Sequence, residues 1–294
     1  MKHLIDINRL EKAEIEKIIS LAGEFKLGTR KSSVAEKTAC LMFFENSTRT
    51  KISFDLAAQK LGMNVIHFDG ATSSLSKGES RKDTFDNLSA IGIDTVIVRT
   101  TEDRFIDNSL KELALPLSFV NAGDGVTAHP TQALLDYFTM LHAFDSVAGK
   151  KVCIVGDIAH SRVAKSNFAL LSKFGARLHA VAPGYFKPKE ENFRVIYHDS
   201  LAEGIKNADV VMLLRVQKER LEGEFNAESY IEKYQLNSEI LDKYAPNAIL
   251  MHPGPVNRGV EITSELLDSE RGKIILEQAK NGVFVRMAVL EMLG

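Results

Sequence analysis

The sequence lacks several features that would place a protein in a membrane, a secretory pathway or a nucleic-acid complex. Its 294 residues include two cysteines and no tryptophan, and the formal net charge is −2. With so small a net charge, the protein has no overall positive potential that would attract nucleic acid or an acidic membrane. No apolar run approaches the ~20 residues that span a bilayer, and the N-terminus shows no signal-peptide core. We therefore expect a cytoplasmic protein with no nucleic-acid partner and no membrane partner.

The two cysteines indicate neither a disulfide nor a reactive site. Cys40 and Cys153 lie in separate apolar runs, at 39–43 and 152–155. Such positions are typical of buried free thiols. The metal-binding patterns Cys-x-x-Cys and His-Glu-x-x-His are absent from the sequence. We therefore expect no metal and no cofactor.

Apolar strand patterns alternate with helical patterns along the whole chain. This alternation predicts an α/β fold with two doubly wound parallel-sheet domains, because strands covered by helices on both faces read as short apolar runs. A composition shift at 145–151 is a candidate domain boundary. The predicted strands are 39–44, 65–68, 95–99, 119–121, 152–156, 177–181, 194–197, 210–214 and 249–252, and the predicted helices include 8–26, 48–61, 81–91, 105–113, 130–144 and 283–293.

The segment Ser47-Thr48-Arg49-Thr50 opens a predicted helix and has an unusual charge pattern. Ser47 suits the cap position, and the 3–4 spacing of Ile52, Leu56, Ala57 and Leu61 predicts the helix. Arg49 then lies among amides that carry partial positive charge, which costs ~0.3–1 kcal/mol at an exposed helix start. A bound phosphate would reverse the sign of that cost. The alternative is an exposed arginine on a surface helix.

Three further arginines follow apolar strands in equivalent places. Arg99 and Arg215 come at the ends of two predicted strands, and Arg162 follows a third strand at a helix start. A single arginine of this kind is commonly a surface ion-pair partner, but several at the carboxyl ends of parallel strands indicate a shared set of anionic ligands. A dinucleotide loop at 156–162 is excluded because Gly-x-Gly-x-x-Gly is absent, and the P-loop pattern is absent as well.

Three other segments carry polar groups suited to a ligand. His129 and Gln132 lie on the entry turn of a helix that begins with Pro130, and they offer hydrogen-bond donors and acceptors. A bend at 252–258 holds two prolines around a glycine, and a polar loop at 72–80 carries Lys77. Each also has a structural interpretation. A lone histidine such as His129 is more often a helix-entry or packing residue, the bend fits a rigid turn, and the polar loop fits a solvated loop.

Taken in order, these segments resemble the aspartate/ornithine carbamoyltransferase family, and more closely its aspartate branch. The resemblance covers essentially the whole chain. The ornithine branch has His-Cys-Leu-Pro where this sequence has His252-Pro253-Gly254-Pro255, and Gly254 also departs from the leucine of some aspartate enzymes. The motifs that carry the resemblance are Ser47-Thr48-Arg49-Thr50, Ser76-Lys77-Gly78-Glu79, Arg99, His129-Pro130-Thr131-Gln132, Ser161-Arg162, Leu214-Arg215-x-Gln217 and His252-Pro253-x-Pro255.

The resemblance implies a domain assignment and an assembly. Residues 1–130 with 281–294 would bind carbamoyl phosphate, and residues 131–280 would bind aspartate, with the active site in the cleft between the two domains. The family also implies a homotrimer with shared active sites, in which Lys77 reaches a neighbouring chain's site. It leaves open whether regulatory or other pyrimidine-pathway chains attach.

The implied reaction transfers the carbamoyl group of carbamoyl phosphate to the amine of L-aspartate, giving N-carbamoyl-L-aspartate and phosphate for pyrimidine synthesis. By the same resemblance, catalysis would involve Arg49, Thr50, Lys77, Arg99 and His129. Carbamoyl phosphate would be bound by Ser47, Thr48, Arg49, Thr50, Arg99, His129, Gln132, Gly254 and Pro255. Aspartate would be bound by Lys77, Arg162, Arg215 and Gln217.

Two alternatives stay open at the level of the sequence. The first is an ornithine or other carbamoyltransferase, which Arg215 disfavours because ornithine would present a cation to that arginine. The second is a non-catalytic anion sensor on the same fold. The polar groups expected around the carbamoyl group disfavour a sensor, because recognition of phosphate alone would not require them.

Overall fold

The computed structural model describes residues 1–68, 78–111, 113, 116–189, 193–216 and 227–294. The chain divides into two compact units. The first contains Met1–Leu135 and Asn281–Gly294, and the second contains Asp136–Lys280. The divisions fall within the helices α5 (Pro130–Ala143) and α11 (Lys273–Leu293).

The first unit is built on a five-stranded parallel sheet in the order β1-β5-β4-β2-β3. One part of its core joins Cys40 and Met42 of the sheet to Phe85 of a covering helix. The two-residue strand β1 was not predicted, because so short a segment shows no periodicity. The strands are β1 (His3–Leu4), β2 (Thr38–Phe43), β3 (Asn64–Phe68), β4 (Thr95–Thr100) and β5 (Ser118–Asp124), and the other helices are α1 (Lys12–Leu27), α2 (Thr48–Lys60), α3 (Arg81–Ala90) and α4 (Phe105–Leu110).

The second unit repeats the plan with five parallel strands in the order β10-β9-β6-β7-β8. The sequence prediction of two doubly wound α/β domains is therefore confirmed. The strands are β6 (Lys151–Val155), β7 (Arg177–Val181), β8 (Val195–His198), β9 (Val210–Leu213) and β10 (Ile249–Met251), and the helices that belong wholly to this unit are α6 (Arg162–Lys173), α7 (Leu201–Ile205), α8 (Ala227–Tyr234), α9 (Ser238–Tyr244) and α10 (Ser264–Asp268).

Each sheet has one point where the strand order reverses. In the first unit β2 lies between β3 and β4, so the chain leaves β2 in one direction and returns on its other side. In the second unit β6 lies between β7 and β9 in the same manner. Ligands of open parallel sheets bind outside the carboxyl ends of the strands at such a reversal. The two reversal points, β2/β4 and β6/β9, are therefore the places to examine for a site.

Only part of the apolar stripe that predicted α2 is buried. Ile52 and Leu56 are 59% and 41% exposed, whereas Phe54, Ala57 and Leu61 are buried. The 3–4 spacing of the apolar residues identified a helix correctly. It could not distinguish which of two adjacent apolar faces packs on the sheet.

The cysteines lie where the sequence predicted them. Cys40 and Cys153 are free and buried. Burial raises the pKa of Cys40 to about 11 and that of Cys153 to about 12, so neither thiol is ionised near neutral pH. Across the described residues, no helix is both long and apolar enough to cross a membrane.

Candidate functional site

The start of α2 lies directly after β2, at the reversal point of the first sheet. Ser47 occupies the cap position, and its backbone carbonyl accepts the N–H of Lys51 at 3.1 Å. The amides before Lys51 precede the first turn of helical hydrogen bonds. Within the described part of the chain the Ser47 hydroxyl makes no capping bond to them. The helix start therefore presents backbone N–H groups, hydroxyls and the exposed Arg49 at one place, as an anion site requires.

Arg99 lies beside this helix start because β4 is the neighbour of β2. Phe43 and Arg99 are register partners, and the Phe44 N–H donates to the Arg99 carbonyl at 2.8 Å. The guanidinium pairs with Glu45 at 2.7 Å and donates to the Ala122 carbonyl at 3.0 Å. These two contacts fix the planar group while burying most of it, which is the state in which an arginine interacts strongly with an anionic oxygen.

His129 and Gln132 enter through a loop that is closed by its own polar side chains. The N–H groups of Val126 and Ala128 donate to Asp103 at 2.8 Å and to Asp124 at 3.1 Å, respectively. The loop therefore returns to the end of β4, where Thr100 and Asp124 are register partners. Both predicted side chains are buried at the start of α5, and the His129 carbonyl accepts the Gln132 N–H at 3.1 Å. A buried imidazole and carboxamide are suited to recognise an uncharged polar group.

In the second unit the reversal point holds the start of α6. Gly156 follows β6 with a φ of 126°, and a Cβ there would lie 3.1 Å from the Leu214 carbonyl oxygen, so glycine permits the close approach of the two strand ends. The fully buried Asp157 accepts from His160, through its backbone N–H at 3.1 Å and its Nδ1 at 2.9 Å. Arg162 is the first residue of α6.

Arg215 and the bend after β10 lie at the same edge of the second sheet. Arg215 follows β9, and the next residue, Val216, accepts the side-chain N–H of Asn257 at 3.2 Å. That bond joins the chain leaving β9 to the bend. Gly254, at the centre of the bend, has a φ of 68°, which a leucine rarely adopts, so this backbone favours glycine.

Each unit thus gathers its own predicted residues at one strand edge. The first unit brings together the start of α2, Arg99 and the start of α5. The second brings together the start of α6, Arg215 and the bend with Gly254 and Pro255. Lys77 and Gln217 lie outside the described residues.

Several polar residues at these edges were not identified from the sequence. Glu45 pairs with Arg99 at 2.7 Å, and the sequence did not predict this pair. Asp157 and Glu261 are buried carboxylates that hold loops through hydrogen bonds. The one available signal was an acidic residue directly after or near an apolar strand, and many surface residues share that pattern.

Comparison with known proteins places the chain in a family. The model of the aspartate/ornithine carbamoyltransferase carbamoyl-P binding domain matches residues 2–142, and the model of the Asp/Orn binding domain matches residues 148–293. Together the two models span nearly the whole chain. The second model includes residues 281–293 of α11, which the structure groups with the first unit.

Individual relatives agree with the family models. The aspartate carbamoyltransferase catalytic subunit of Enterococcus faecalis is 42% identical over 295 residues, covering 99% of this chain and 95% of the relative. Aspartate transcarbamoylase from Trypanosoma cruzi, solved with N-(phosphonacetyl)-L-aspartic acid, has a TM-score of 0.88 at 26% identity, covering 99% of this chain and 95% of that one. Ornithine carbamoyltransferase from Pyrococcus furiosus has a TM-score of 0.87 at 26% identity, covering 98% and 96%. The chain belongs to the aspartate/ornithine carbamoyltransferase family.

Proposed function

We propose that this protein transfers the carbamoyl group of carbamoyl phosphate to the amino group of L-aspartate, producing N-carbamoyl-L-aspartate and phosphate. The observation that carries the proposal is the start of α2, where Ser47 makes no capping bond among the described residues and lies near Arg49 and Arg99. Its position at the reversal point of the first sheet adds support.

The phosphate of the first substrate binds at this helix start. Its oxygens accept from the amides and hydroxyls of Ser47, Thr48 and Thr50, and the Arg49 guanidinium supplies charge. Arg99 and His129 donate to the carbamoyl oxygen. The nitrogen of the same group is held by Gln132 and by the carbonyls of the bend that contains Gly254 and Pro255.

Aspartate is held by the guanidinium groups of the second unit. Arg162 takes the α-carboxylate, and Arg215 with Gln217 takes the side-chain carboxylate. Lys77 contributes a cation to both substrates. Several negative charges come together in this reaction, and the arginines and Lys77 offset their repulsion as water is removed.

The chemical step requires no protein nucleophile. The amine of aspartate attacks the carbonyl carbon, and the oxyanion that develops is stabilised by Thr50, Arg99 and His129. Phosphate is already a good leaving group, so the chain's contribution is positioning and charge stabilisation. The leaving phosphate accepts the proton lost by the attacking amine.

Two observations favour aspartate over ornithine as the second substrate: the identity of a similar relative and the charge of Arg215. The structural neighbours include both an aspartate and an ornithine enzyme at equal identity, so the fold does not discriminate. The curated relative at 42% identity is an aspartate carbamoyltransferase catalytic subunit. Arg215, at the end of β9, would repel the side-chain ammonium of ornithine.

Phosphate release tests the proposal directly. The purified chain is incubated with carbamoyl phosphate and either aspartate or ornithine. We expect release with aspartate and no release above background with ornithine. Release with ornithine alone would identify an ornithine enzyme, and release with neither amino acid would favour an anion sensor.

The proposed assembly is a homotrimer with shared active sites. Support comes from the outer face of α2, where Ile52 and Leu56 are exposed one helical turn apart in the isolated chain. Exposed apolar side chains grouped on one face are typical of a protein contact. The mass in solution tests the assembly. We expect three chains in the wild type and a smaller species for Ile52→Glu, and a wild-type monomer would contradict the proposal.

A further inference from the structure

The bend after β10 is held by a single buried carboxylate. Glu261 is 1% exposed, and its Oε1 lies 2.6 Å from the Asn257 backbone nitrogen and 3.2 Å from His252 Nε2. His252 and Asn257 flank the bend that carries Gly254 and Pro255. One oxygen atom therefore contacts both ends of the bend.

The hydrogen bonds of His252 determine where its proton lies. The backbone N–H of Gly254 donates to His252 Nδ1 at 2.8 Å, so Nδ1 must carry a lone pair. The ring proton is then on Nε2, where it is donated to Glu261 Oε1. The imidazole is neutral in this arrangement, because a proton on Nδ1 would face the N–H of Gly254.

The same bend is tied to the surrounding elements. The His252 N–H donates to the Gln278 side chain of α11 at 3.0 Å, and that side chain donates to Asp136 of α5 at 2.6 Å. On the other side, the Asn257 side chain donates to the Val216 carbonyl at 3.2 Å. Glu261 thus holds one end of a network that reaches the residue after Arg215.

Stability alone does not account for a buried acceptor side chain at this position. Glu261 Oε2 is buried and has no hydrogen-bond partner in the described part of the chain. A buried polar side chain with an unsatisfied oxygen is costly, whereas an apolar side chain of similar volume would leave no such oxygen. We infer that Glu261 is a positioning residue that sets the tautomer of His252 and so orients the Gly254–Pro255 backbone toward the carbamoyl group. This inference rests on the proposed function.

The kinetics of three variants test whether Glu261 orients the bend for catalysis. Glu261→Leu removes both hydrogen bonds and should lower kcat ~10- to 100-fold, because a displacement of ~1 Å at an orienting group has an effect of this size. Glu261→Gln keeps an oxygen that accepts both bonds, so its kcat should stay within ~3-fold of wild type. The matched control is Asp268→Asn, which removes the exposed ion pair of Arg258 on the same segment and should leave kcat unchanged. A folded Glu261→Leu with wild-type kcat, or Glu261→Gln as impaired as Glu261→Leu, would overturn the inference.

Histidine ¹⁵N NMR of the ligand-free protein tests the predicted tautomer of His252, and it requires no enzymatic activity. The His252 resonances are assigned by their absence from His252→Gln. We expect an unprotonated Nδ1 and a protonated Nε2, and a protonated Nδ1 would overturn the inference. If the wild type turns over neither amino acid, the proposed function fails while the spectrum still decides the tautomer of His252. If Glu261→Leu does not fold, the kcat of Glu261→Gln and the spectrum decide.

Discussion

The starts of α2 and α6 are alike in sequence and differ in how their serines are used. Each places a serine at the cap position with an arginine in the turn that follows, and each begins at the reversal point of its own sheet. The Ser161 hydroxyl accepts the Ala164 N–H at 3.1 Å and caps α6. Ser47 makes no such bond in the described structure. We call the start of α2 open because its cap serine makes no such bond among the described residues, and the start of α6 closed because Ser161 does.

Three other helices follow the pattern of α6. Side chains accept an amide N–H at the starts of α3, α9 and α10, from Ser80, Asn237 and Thr263. Ser200 at the start of α7 makes no capping bond either, so what distinguishes the start of α2 is its uncapped serine together with its position at the reversal point of a sheet. A phosphate has several oxygens to satisfy and can use free amides, whereas a carboxylate can be bound by a guanidinium alone. The difference matches the two substrates that we propose for the two units.

The largest effect should come from removing the cation at the open start. Arg49→Ala should lower kcat/KM for carbamoyl phosphate ~10³-fold, because an interaction with developing negative charge is lost. The ligand-free protein should be as stable as wild type or slightly more so, since a cation leaves a positive helix end. Phosphate release and urea unfolding measure the two properties, with Lys51→Ala as the control on the same turn. A large loss of ligand-free stability would instead indicate a structural role for Arg49.

The closed start should affect the other substrate. Arg162→Ala should raise the KM for aspartate ~10²-fold, because the α-carboxylate loses its charged partner. The affinity for carbamoyl phosphate in the absence of aspartate should not change. Calorimetric titration with carbamoyl phosphate and initial rates at varied aspartate separate the two. Equal losses for both substrates would remove the distinction between the two helix starts.

The two serines provide the most direct comparison. Ser161→Ala should destabilise the protein by ~1 kcal/mol, because α6 loses its cap. Ser47→Ala should change stability little and weaken carbamoyl phosphate binding ~10-fold, through the loss of a hydrogen bond to a charged ligand. Unfolding and binding are measured on both variants. An equal loss of stability in the two variants would show that the serines are not used differently.

The fold could be predicted from the sequence because parallel strands buried on both faces leave clear apolar runs. The exceptions have physical reasons. The strand His3–Leu4 is too short for a pattern, and the exposed Ile52 face of α2 follows a spacing that also occurs on buried faces. The opening helix was predicted as one element from 8 to 26, but the structure has a 3₁₀ turn at Ile7–Arg9 before α1.

The candidate site could be located from strand ends, but its internal contacts could not. Arg99 and Arg215 were visible because a charged residue after an apolar strand is conspicuous. Whether Ser47 or Ser161 caps its helix depends on side-chain rotamers, which the sequence does not encode locally. The role of Glu261 depends on a contact nine residues away, across a bend.

The smallest predicted effect concerns stability in acid. It should arise in the sheet that precedes α6 and should not affect ligand binding at the start of α2. His179 and His198 stack on β7 and β8, with His179 Nδ1 2.8 Å from His198 Nε2. Burial, with the nearby charge of Lys151, lowers the pKa of both imidazoles, that of His179 to about 4. The folded state therefore resists protonation that the unfolded chain accepts near pH 6.5. The contribution of this pair to the free energy of unfolding is therefore fully present above pH 6.5 and is lost as the pH falls toward 4.

His179→Asn keeps a polar atom near His198 without a titrating ring, so it should reduce this loss. Urea unfolding at pH 7.5 and pH 4.5 measures the loss of stability for the wild type and for His179→Asn. The difference in the free energy of unfolding between the two pH values should be smaller in the variant. The carbamoyl phosphate affinity at pH 7.5 should match wild type, because β7 belongs to the second sheet and β2 and β4 belong to the first. An unchanged pH dependence would assign the acid sensitivity to other groups, and a weakened carbamoyl phosphate affinity would show that the second sheet influences the start of α2.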